Sequence, residues 1–173
     1  LRSTNIGGSL VNIHKALGYN VVAINHLGDW GSQFAKLIVA YQKWGDSQEL
    51  SKAPIHHLFE LYVRFHQAAK TDTTLDDEAR RAFFALENED AQHVALWQQF
   101  RDLSLAEFER IYKRLGIAFD HWTGESFYIS KTTEIIALLR QKGLLTESDE
   151  AQIVDLTEET LTPMLIQKRA GST

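Results

Sequence analysis

N-V-V-A-I-N-H-L-G-D-W-G-S-Q-F, the stretch from Asn20 to Phe34, decides the fold that we predict for this chain. It opens with the apolar, β-branched run Val21–Ile24, which predicts a short buried strand of a parallel sheet. The turn Asn25–Gly31 follows, and its two glycines let the backbone turn sharply and come close to a ligand. A helical pattern begins immediately after it. Because open α/β sheets bind their ligands at the carboxyl ends of strands, we expect this turn to face a ligand.

The composition is that of a soluble globular protein. Of its 173 residues, 44% are apolar and 24% are charged, which suits one domain, or one domain with an insertion. The chain has no cysteine, which excludes disulfides and thiolate metal sites and favours a reducing compartment. Its net charge of −5 argues against nucleic-acid binding by charge alone. No apolar run approaches the roughly 20 residues of a membrane span, and no signal or transit peptide is evident.

The residues before the quoted stretch predict a helix over 1–17. One face of it carries apolar side chains at helical spacing: Ile6, Leu10, Ile13 and Leu17. Gly7 and Gly8 each cost about 1 kcal/mol in a helix interior, so they indicate close packing on a sheet or a nearby ligand. Gly18 is a suitable C-cap. Helix and strand form half of a βαβ unit, and we expect its first strand to precede Leu1.

A mainly helical stretch follows the turn. The apolar spacing predicts helices over 31–44, 55–69, 75–86 and 91–115, the last with a kink or interruption at 102–104. The residues expected on their buried faces are Phe34, Leu37, Ile38, Tyr41, Leu58, Leu61, Tyr62, Phe65, Val94, Trp97, Phe100, Leu105, Phe108, Ile111, Tyr112 and Leu115.

A second strand is predicted over 117–122, after Gly116 ends the long helix, and it runs into the polar turn Thr123–Ser126. A helix over 131–142 and short strands over 152–156 and 164–167 complete the chain. We therefore predict an α/β fold: a partial Rossmann-like nucleotide-binding fold with parallel strands, interrupted by a mainly α-helical insertion and followed by a small α/β appendage. The predicted parts are the first part of that fold (1–31), the insertion (32–94), the return helix and strand (95–124) and a second insertion, incomplete at its C-terminal end (125–173).

Polar side chains surround the first turn: Asn25, His26, Asp29 and Gln33. They suit hydrogen bonds to a polar substrate or a nucleotide sugar, and the amides of the following helix suit a phosphate. Turn chemistry explains the same residues, since Asn and Asp satisfy their own backbone and cap helices. Both interpretations stay open, and Asp29 could serve both.

No complete catalytic or metal-binding set follows from the residues alone. His56 and His57 are adjacent and point about 100° apart on a helix, so a surface or capping role is favoured over a metal site. Gly124-Glu125-Ser126 lacks the G-x-S-x-G elbow, and Gly7-Gly8 is no dinucleotide fingerprint. Structural or solvent-exposed roles are favoured for His14, His66, His93, His121, Trp44, Trp97, Trp122 and the acidic run Glu147–Glu150.

Two motifs nevertheless resemble a known family. L-R-S-T at residues 1–4 and N-H-L-G-D-W-G-S-Q-F at residues 25–34 are similar to the arginyl-tRNA synthetases, which are class I aminoacyl-tRNA synthetases. In that family an H-x-G-H signature directly precedes L-R-S-T, and the second strand runs into N-H-x-G-D-W-G-T-Q-F-G. Further matches, in order along the chain, are Pro54–Phe59, Leu61–Val63, Tyr112–Gly116, Phe119-Asp120 and Gly124–Ser126. The likeness covers essentially the whole chain.

The resemblance implies a ligase that activates arginine with ATP, with Mg²⁺ as a further candidate, and passes the arginyl group to tRNA. It places the parent protein in the cytoplasm, with a mitochondrion or other organelle as the alternative, with no membrane association and with protein partners open. It implies supporting roles at the cleft, without bond chemistry or metal ligation, for Arg2, Ser3, Asn25, Gly28, Asp29, Gln33 and Glu125. For Arg2, phosphate neutralisation and a buried ion pair are both open.

The chain also departs from the family. The H-x-G-H motif would precede Leu1, and the arginine-gripping stretch near the family's T-R-D motif would follow Thr173. Ala35 replaces a glycine, Ser32 a threonine and Ala170 a usually acidic residue. We therefore expect the chain alone to be inactive and to bind no cofactor. A non-catalytic synthetase-like paralogue acting as an interaction module is the alternative, and a stand-alone nucleotide binder is a weaker one.

Overall fold

Helices account for most of the first part of the chain. The computed structural model describes residues 2–167, which fall into two compact units that divide between Glu125 and Ser126. The elements of the first unit are α1 (Arg2–Ala16), β1 (Ile24–Asn25), α2 (Ser32–Trp44), α3 (Ser47–Lys52), α4 (Pro54–Ala68), α5 (Thr74–Glu87), α6 (Ala91–Leu115) and β2 (His121–Trp122). The elements that follow are a 3-10 turn (Glu125–Tyr128), α7 (Ile129–Gln141), β3 (Leu145–Ser148), β4 (Ala151–Val154), a second 3-10 turn (Thr157–Glu159) and β5 (Met164–Gln167).

The two strands of the first unit pair in parallel, as predicted. Ile24 lies opposite His121, and Asn25 lies opposite Trp122. Backbone bonds continue the pairing into the turns: the amide of Thr123 donates to the carbonyl of Asn25 at 3.1 Å, and the amide of Glu125 to the carbonyl of Leu27 at 2.9 Å. The turns after the two strands therefore leave the sheet at the same edge.

The first strand is shorter and less buried than predicted. Burial alternates along it, with Ala23 and Asn25 inside and Val22 and Ile24 more than half exposed. Alternation of this kind is the pattern of a strand with one covered face, so the expectation of an apolar run buried on both faces is wrong for the described residues.

Helix α1 forms where the apolar spacing predicted it, but its apolar face is not covered. The apolar side chains at positions 6, 10 and 13, and that of Leu17 just past the helix, are each more than half exposed. Gly8 does mark a close approach, since a Cβ there would lie 3.0 Å from the side chain of Ile117. Gly18, just past the helix, has φ of +84° and serves as the expected stop.

The long helix α6 runs through residues 102–104 without the expected interruption. Its Ser104 hydroxyl donates to the carbonyl of Phe100, one turn earlier, at 2.8 Å, so this residue stays within the helix. A short helix, α3, lies between the helices predicted over 31–44 and 55–69. Asp46 begins it by accepting the amides of Gln48 and Glu49 on its carboxylate.

The core of the first unit is built around α2, which packs against α4, α5 and α6. Two clusters of buried side chains lie along it. The first is Ala35, Val39, Ala40, Leu61, Phe65, Leu75, Ala79 and Ala82. The second is Ile38, Leu50, Leu58, Leu86 and Phe100. The small side chains of α2 face the first cluster. The predicted Leu37 and Tyr41 are only half-buried at the edges of both clusters, and Phe34 is half-buried at the edge of the second.

The second unit joins α7 to a three-stranded antiparallel sheet with the order β3-β4-β5. The predicted helix begins earlier, at Ile129, and the two predicted strands are present. Strand β3 was missed, because its Glu147 belonged to an acidic run interpreted as a solvated loop. That interpretation is wrong for Glu147 and Ser148, which pair with β4; Asp149 and Glu150 form the turn, both with positive φ.

The four-part division of the chain stays a prediction. Its boundary between residues 94 and 95 falls inside α6, which is one continuous helix.

The core assignment predicts a large difference between two phenylalanines on α4. Phe65 is fully buried, whereas Phe59 is 64% exposed. We expect Phe65→Ala to lower the free energy of unfolding by about 3–5 kcal/mol, through lost burial and a residual cavity. Phe59→Ala is the matched control and should change it by less than about 0.5 kcal/mol. Urea titration followed by circular dichroism measures both, and equal losses would contradict the assignment.

The N-terminus of α6 predicts a pH dependence. The side-chain hydrogen bond from His93, followed by the backbone bond from its amide, lowers the pKa of Asp90 below its ordinary value. Because the folded state depresses this pKa, the stabilisation is complete above the ordinary carboxyl pKa and is lost as the pH falls through the folded value.

We therefore expect Asp90→Ala to lower the thermal midpoint at neutral pH and to approach the unmodified chain in acid. Asp90→Asn, which keeps an oxygen acceptor, should lose less at neutral pH. Glu109→Ala, an exposed residue of the same helix, is the control. A deficit for Asp90→Ala that does not shrink in acid would contradict this account.

Candidate functional site

A cleft of about 470 Å³ opens at the carboxyl end of β1 in the first unit. Helix α1 contributes Ser3 and Thr4 to its wall, and the turn after β1 contributes residues 25–29. One side is formed by α6, from Arg101 to Tyr112. The cleft thus lies where the sequence placed a ligand site, at the end of a parallel strand.

Asp29 is the most constrained residue of the turn. Its side chain is only 4% exposed, and one of its carboxylate oxygens accepts from Nε of Arg101 at 2.9 Å. Its backbone carbonyl accepts from Nε1 of Trp97 at 2.6 Å. Trp97 also packs edge-on against Trp30, with ring centroids 5.2 Å apart. Two side chains of α6, one helical turn apart, therefore hold this one residue.

The turn after β2 closes on the same carboxylate. At Gly124 a Cβ would overlap with the carboxylate of Asp29, so this position requires glycine for space. The next residue, Glu125, donates its amide to Leu27 of the first turn. The expectation that the two turns share one rim of the sheet is thus met by their contacts.

Asn25 lies at the base of the cleft and is about nine-tenths buried. Its backbone carbonyl completes the pairing with Thr123, but within residues 2–167 its side-chain Nδ2 has no hydrogen-bond partner. A buried donor left in this state costs about 1–3 kcal/mol. The side-chain amide of Asn25 is thus a buried hydrogen-bond donor, at the end of β1, that a ligand could satisfy.

The similarity of this chain to known proteins extends over its full length. The family described as "tRNA synthetases class I (R), catalytic domain" matches residues 1–173. The chain belongs to this family. The resemblance seen in the two sequence motifs is confirmed.

Curated relatives point to the same family. Proteins named arginine--tRNA ligase from Exiguobacterium sp., Enterococcus faecalis and Streptococcus suis are 50%, 51% and 53% identical to it over 173 residues, which is all of this chain and 31% of each relative. The chain thus spans about a third of the length of the curated relatives that it matches.

A solved structure supports the fold. The crystal structure of arginyl-tRNA synthetase from Plasmodium falciparum matches with a TM-score of 0.77 and 28% identity, covering 99% of this chain and 28% of that one. The fold is that of a class I synthetase catalytic domain, mixed α/β, mainly helical and with a small parallel sheet. The α/β class predicted from the sequence is confirmed at this level.

The seven synthetase-type site residues predicted from the sequence divide into two groups. Ser3, Asn25, Gly28 and Asp29 line the cleft. The other three are not among its lining residues in the described part of the chain: Arg2, Gln33 and Glu125.

The three residues outside the cleft lining have different surroundings. Arg2 is exposed on α1, so its interpretation as a buried ion pair is wrong. Oε1 of Gln33 accepts from the hydroxyl of Tyr62 at 3.1 Å, which links α2 to α4. Glu125 takes part in the rim through its backbone.

The sequence interpretation missed Arg101. Its neighbours on the cleft side of α6 are mostly apolar, and Leu105, Phe108, Ile111 and Tyr112 were assigned to the core. The available signal was two polar residues, Arg101 and Ser104, placed at helical spacing in an otherwise apolar stripe after Trp97.

The histidine pair at the start of α4 has the surface and capping roles that were favoured. Nε2 of His57 accepts the amide of Asp46 at 3.1 Å, and His56 pairs with Glu60 at 3.4 Å. Over the described range 2–167, no group of three or more His, Asp or Glu side chains is arranged to hold a metal ion. Over the same range, no helix is long and apolar enough to cross a membrane.

The close packing at the rim predicts that substitution by alanine destabilises the protein at Gly124 but not at Gly28. We expect Gly124→Ala to lower the free energy of unfolding by about 1–3 kcal/mol, because the added methyl group displaces the Asp29 carboxylate. Gly28→Ala, where no atom lies within 4 Å of the new Cβ, should be close to neutral. Chemical unfolding of the two variants decides the point, and equal stability would show that the rim is looser than described.

Proposed function

We propose that this chain is part of the catalytic domain of an arginine--tRNA ligase, which activates arginine with ATP and transfers the arginyl group to tRNA. The observation that carries the proposal is the match to proteins of that name at about 50% identity over the whole chain. The position of the cleft, at the carboxyl end of a parallel strand, supports it.

The described residues suit a supporting part in this reaction. Hydroxyls of Ser3 and Thr4 and the amide of Asn25 offer hydrogen bonds to a polar ligand, and α6 offers an apolar contact surface. We infer that the two strands belong to a larger Rossmann-like sheet that binds the nucleotide. Gln33 and Glu125 would then act by holding α2 and the rim, and Arg2, exposed beside the cleft-lining Ser3, suits a phosphate.

ATP is then a substrate of the whole protein. We keep Mg²⁺ as a candidate that would be held chiefly by the phosphates of ATP; among residues 2–167, no group of three or more His, Asp or Glu side chains is arranged to hold a metal ion. We place the whole protein in the cytoplasm, where its tRNA substrate is used.

The alternative is a synthetase-like paralogue without activity. The sequence features that suggested it are Ala35 and Ala170, which replace residues usual in the family. Ala35 is fully buried in the first core cluster, where alanine in place of glycine favours the helix by about 1 kcal/mol and needs no loss of function to explain it. Ala170 lies outside the described residues.

Arginine-dependent exchange of pyrophosphate into ATP, measured on the full-length gene product with tRNA present, tests the proposal. We expect exchange with arginine and none with lysine, followed by charging of tRNA. Absence of exchange in the folded full-length protein would favour the paralogue.

The 173-residue chain alone should give a different result. By calorimetry we expect no binding of ATP or arginine tighter than about 1 mM. The reason is that the family's H-x-G-H motif and the arginine-binding stretch near its T-R-D motif are not among these 173 residues. Binding well below that concentration would instead indicate a stand-alone nucleotide binder.

A further inference from the structure

We propose that Arg101 is a positioning residue of the synthetase site: its ion pair with Asp29 fixes the turn of residues 25–31 against α6 and so ties the cleft to the helical core. This inference rests on the proposed function, since it concerns how that cleft is kept in its working geometry.

The first support is the two-point hold on Asp29. The carboxylate is bound by Arg101 and the backbone carbonyl by Trp97, at 2.9 Å and 2.6 Å. A single contact leaves a residue free to rotate about it, whereas contacts to its side chain and main chain from one rigid helix fix both position and orientation. The guanidinium also lies 5.7 Å from the ring centroid of Trp97, so the two holding side chains pack on each other.

The second support is the lack of room on the opposite side. The carboxylate lies against Gly124, where even a methyl group would overlap with it. Asp29 is therefore confined between α6 and the turn after β2. If Arg101 is removed, a carboxylate that is 4% exposed loses this ion pair, and its burial becomes less favourable. A shift of Asp29 toward water would move the turn that lines the cleft.

The third support is the course of α6 itself. This helix has 25 residues, roughly 37 Å at the standard rise. Phe100, next to Arg101 in the chain, is fully buried in the second core cluster, and the following turns of the helix line the cleft. Packing of Phe100 in the helical core thus fixes the position of α6. The ion pair of Arg101 then fixes the turn of residues 25–31 relative to that helix.

Arg101 is also the one lysine or arginine among the described cleft-lining residues, and its side chain is 27% exposed. Direct contact with an anionic substrate is therefore the competing role. The two roles differ in their dependence on Asp29: a positioning role requires the pair, whereas a substrate contact requires only the cation.

The test is a double-mutant cycle in the full-length protein, with Arg101→Met, Asp29→Asn and the double variant. We expect each single variant to lower kcat for arginine-dependent exchange on the order of a hundredfold, as for a small misplacement of a site. The KM values for ATP and arginine should change less than fivefold. The double variant should be no slower than the slower single variant, because the pair acts as one unit.

Arg101→Lys, which keeps the charge but not the planar fork, should recover part of kcat. The matched control is Glu107→Gln with Arg110→Met, an exposed ion pair two turns further along the same helix. It should stay within twofold of the unmodified protein. All variants are compared at a temperature at which circular dichroism shows them folded.

A second readout does not depend on activity. Hydrogen exchange of the amides of residues 25–31 should be faster in Arg101→Met than in the unmodified protein, and unchanged in the Glu107–Arg110 control. If the unmodified protein shows no exchange of pyrophosphate, the proposed function fails, and this measurement still decides the positioning role.

Three results would overturn the inference. The first is multiplicative loss of kcat in the double variant. The second is a large loss with Arg101→Met while Asp29→Asn stays within twofold, which would assign Arg101 to direct substrate contact. The third is unchanged hydrogen exchange in residues 25–31, which would limit the ion pair to general stability.

Discussion

Taking a carboxylate out of water costs several kcal/mol unless a countercharge and hydrogen bonds replace the lost hydration. Asp29 is buried at the rim of a two-stranded sheet, and that requirement explains much of what surrounds it. Arg101 supplies the charge, Trp97 takes the backbone carbonyl, and Gly124 leaves the space. Because these three come from α6 and from the turn after β2, one buried acid brings together segments about 70 to 95 residues apart in the chain.

The small size of the sheet gives this arrangement its importance. Each strand of the pair has only two residues, too few for ladder hydrogen bonds alone to keep the register of the turns beyond it. The bonds from Thr123 to Asn25 and from Glu125 to Leu27 extend the pairing into the turns. Backbone pairing sets the direction of the two segments, and the contacts of Asp29 set how closely they approach. The first of these turns, over residues 25–29, lines the cleft.

The helices and the location of the cleft could be predicted from the sequence, because both follow from local patterns. Amphipathic spacing places α2, α4, α5 and α6 within a few residues, and a glycine-bearing turn after a β-branched run marks the end of a strand. The exposure of Val22 and Ile24 could not be predicted, since it depends on what packs against a face rather than on the residues in it. Arg101 was missed for a related reason: an apolar helix side looks the same whether it meets a core or a cleft. Strand β3 was missed because an antiparallel edge tolerates acidic side chains that local propensity assigns to a loop.

The uncovered side of α1 has a practical consequence for work with this segment. Four aliphatic side chains, Ile6, Leu10, Ile13 and Leu17, meet solvent in a row along about three helical turns. Contiguous apolar surface of this kind lowers solubility and drives molecules to shelter it against one another. A concentrated solution of this chain will therefore tend toward self-association.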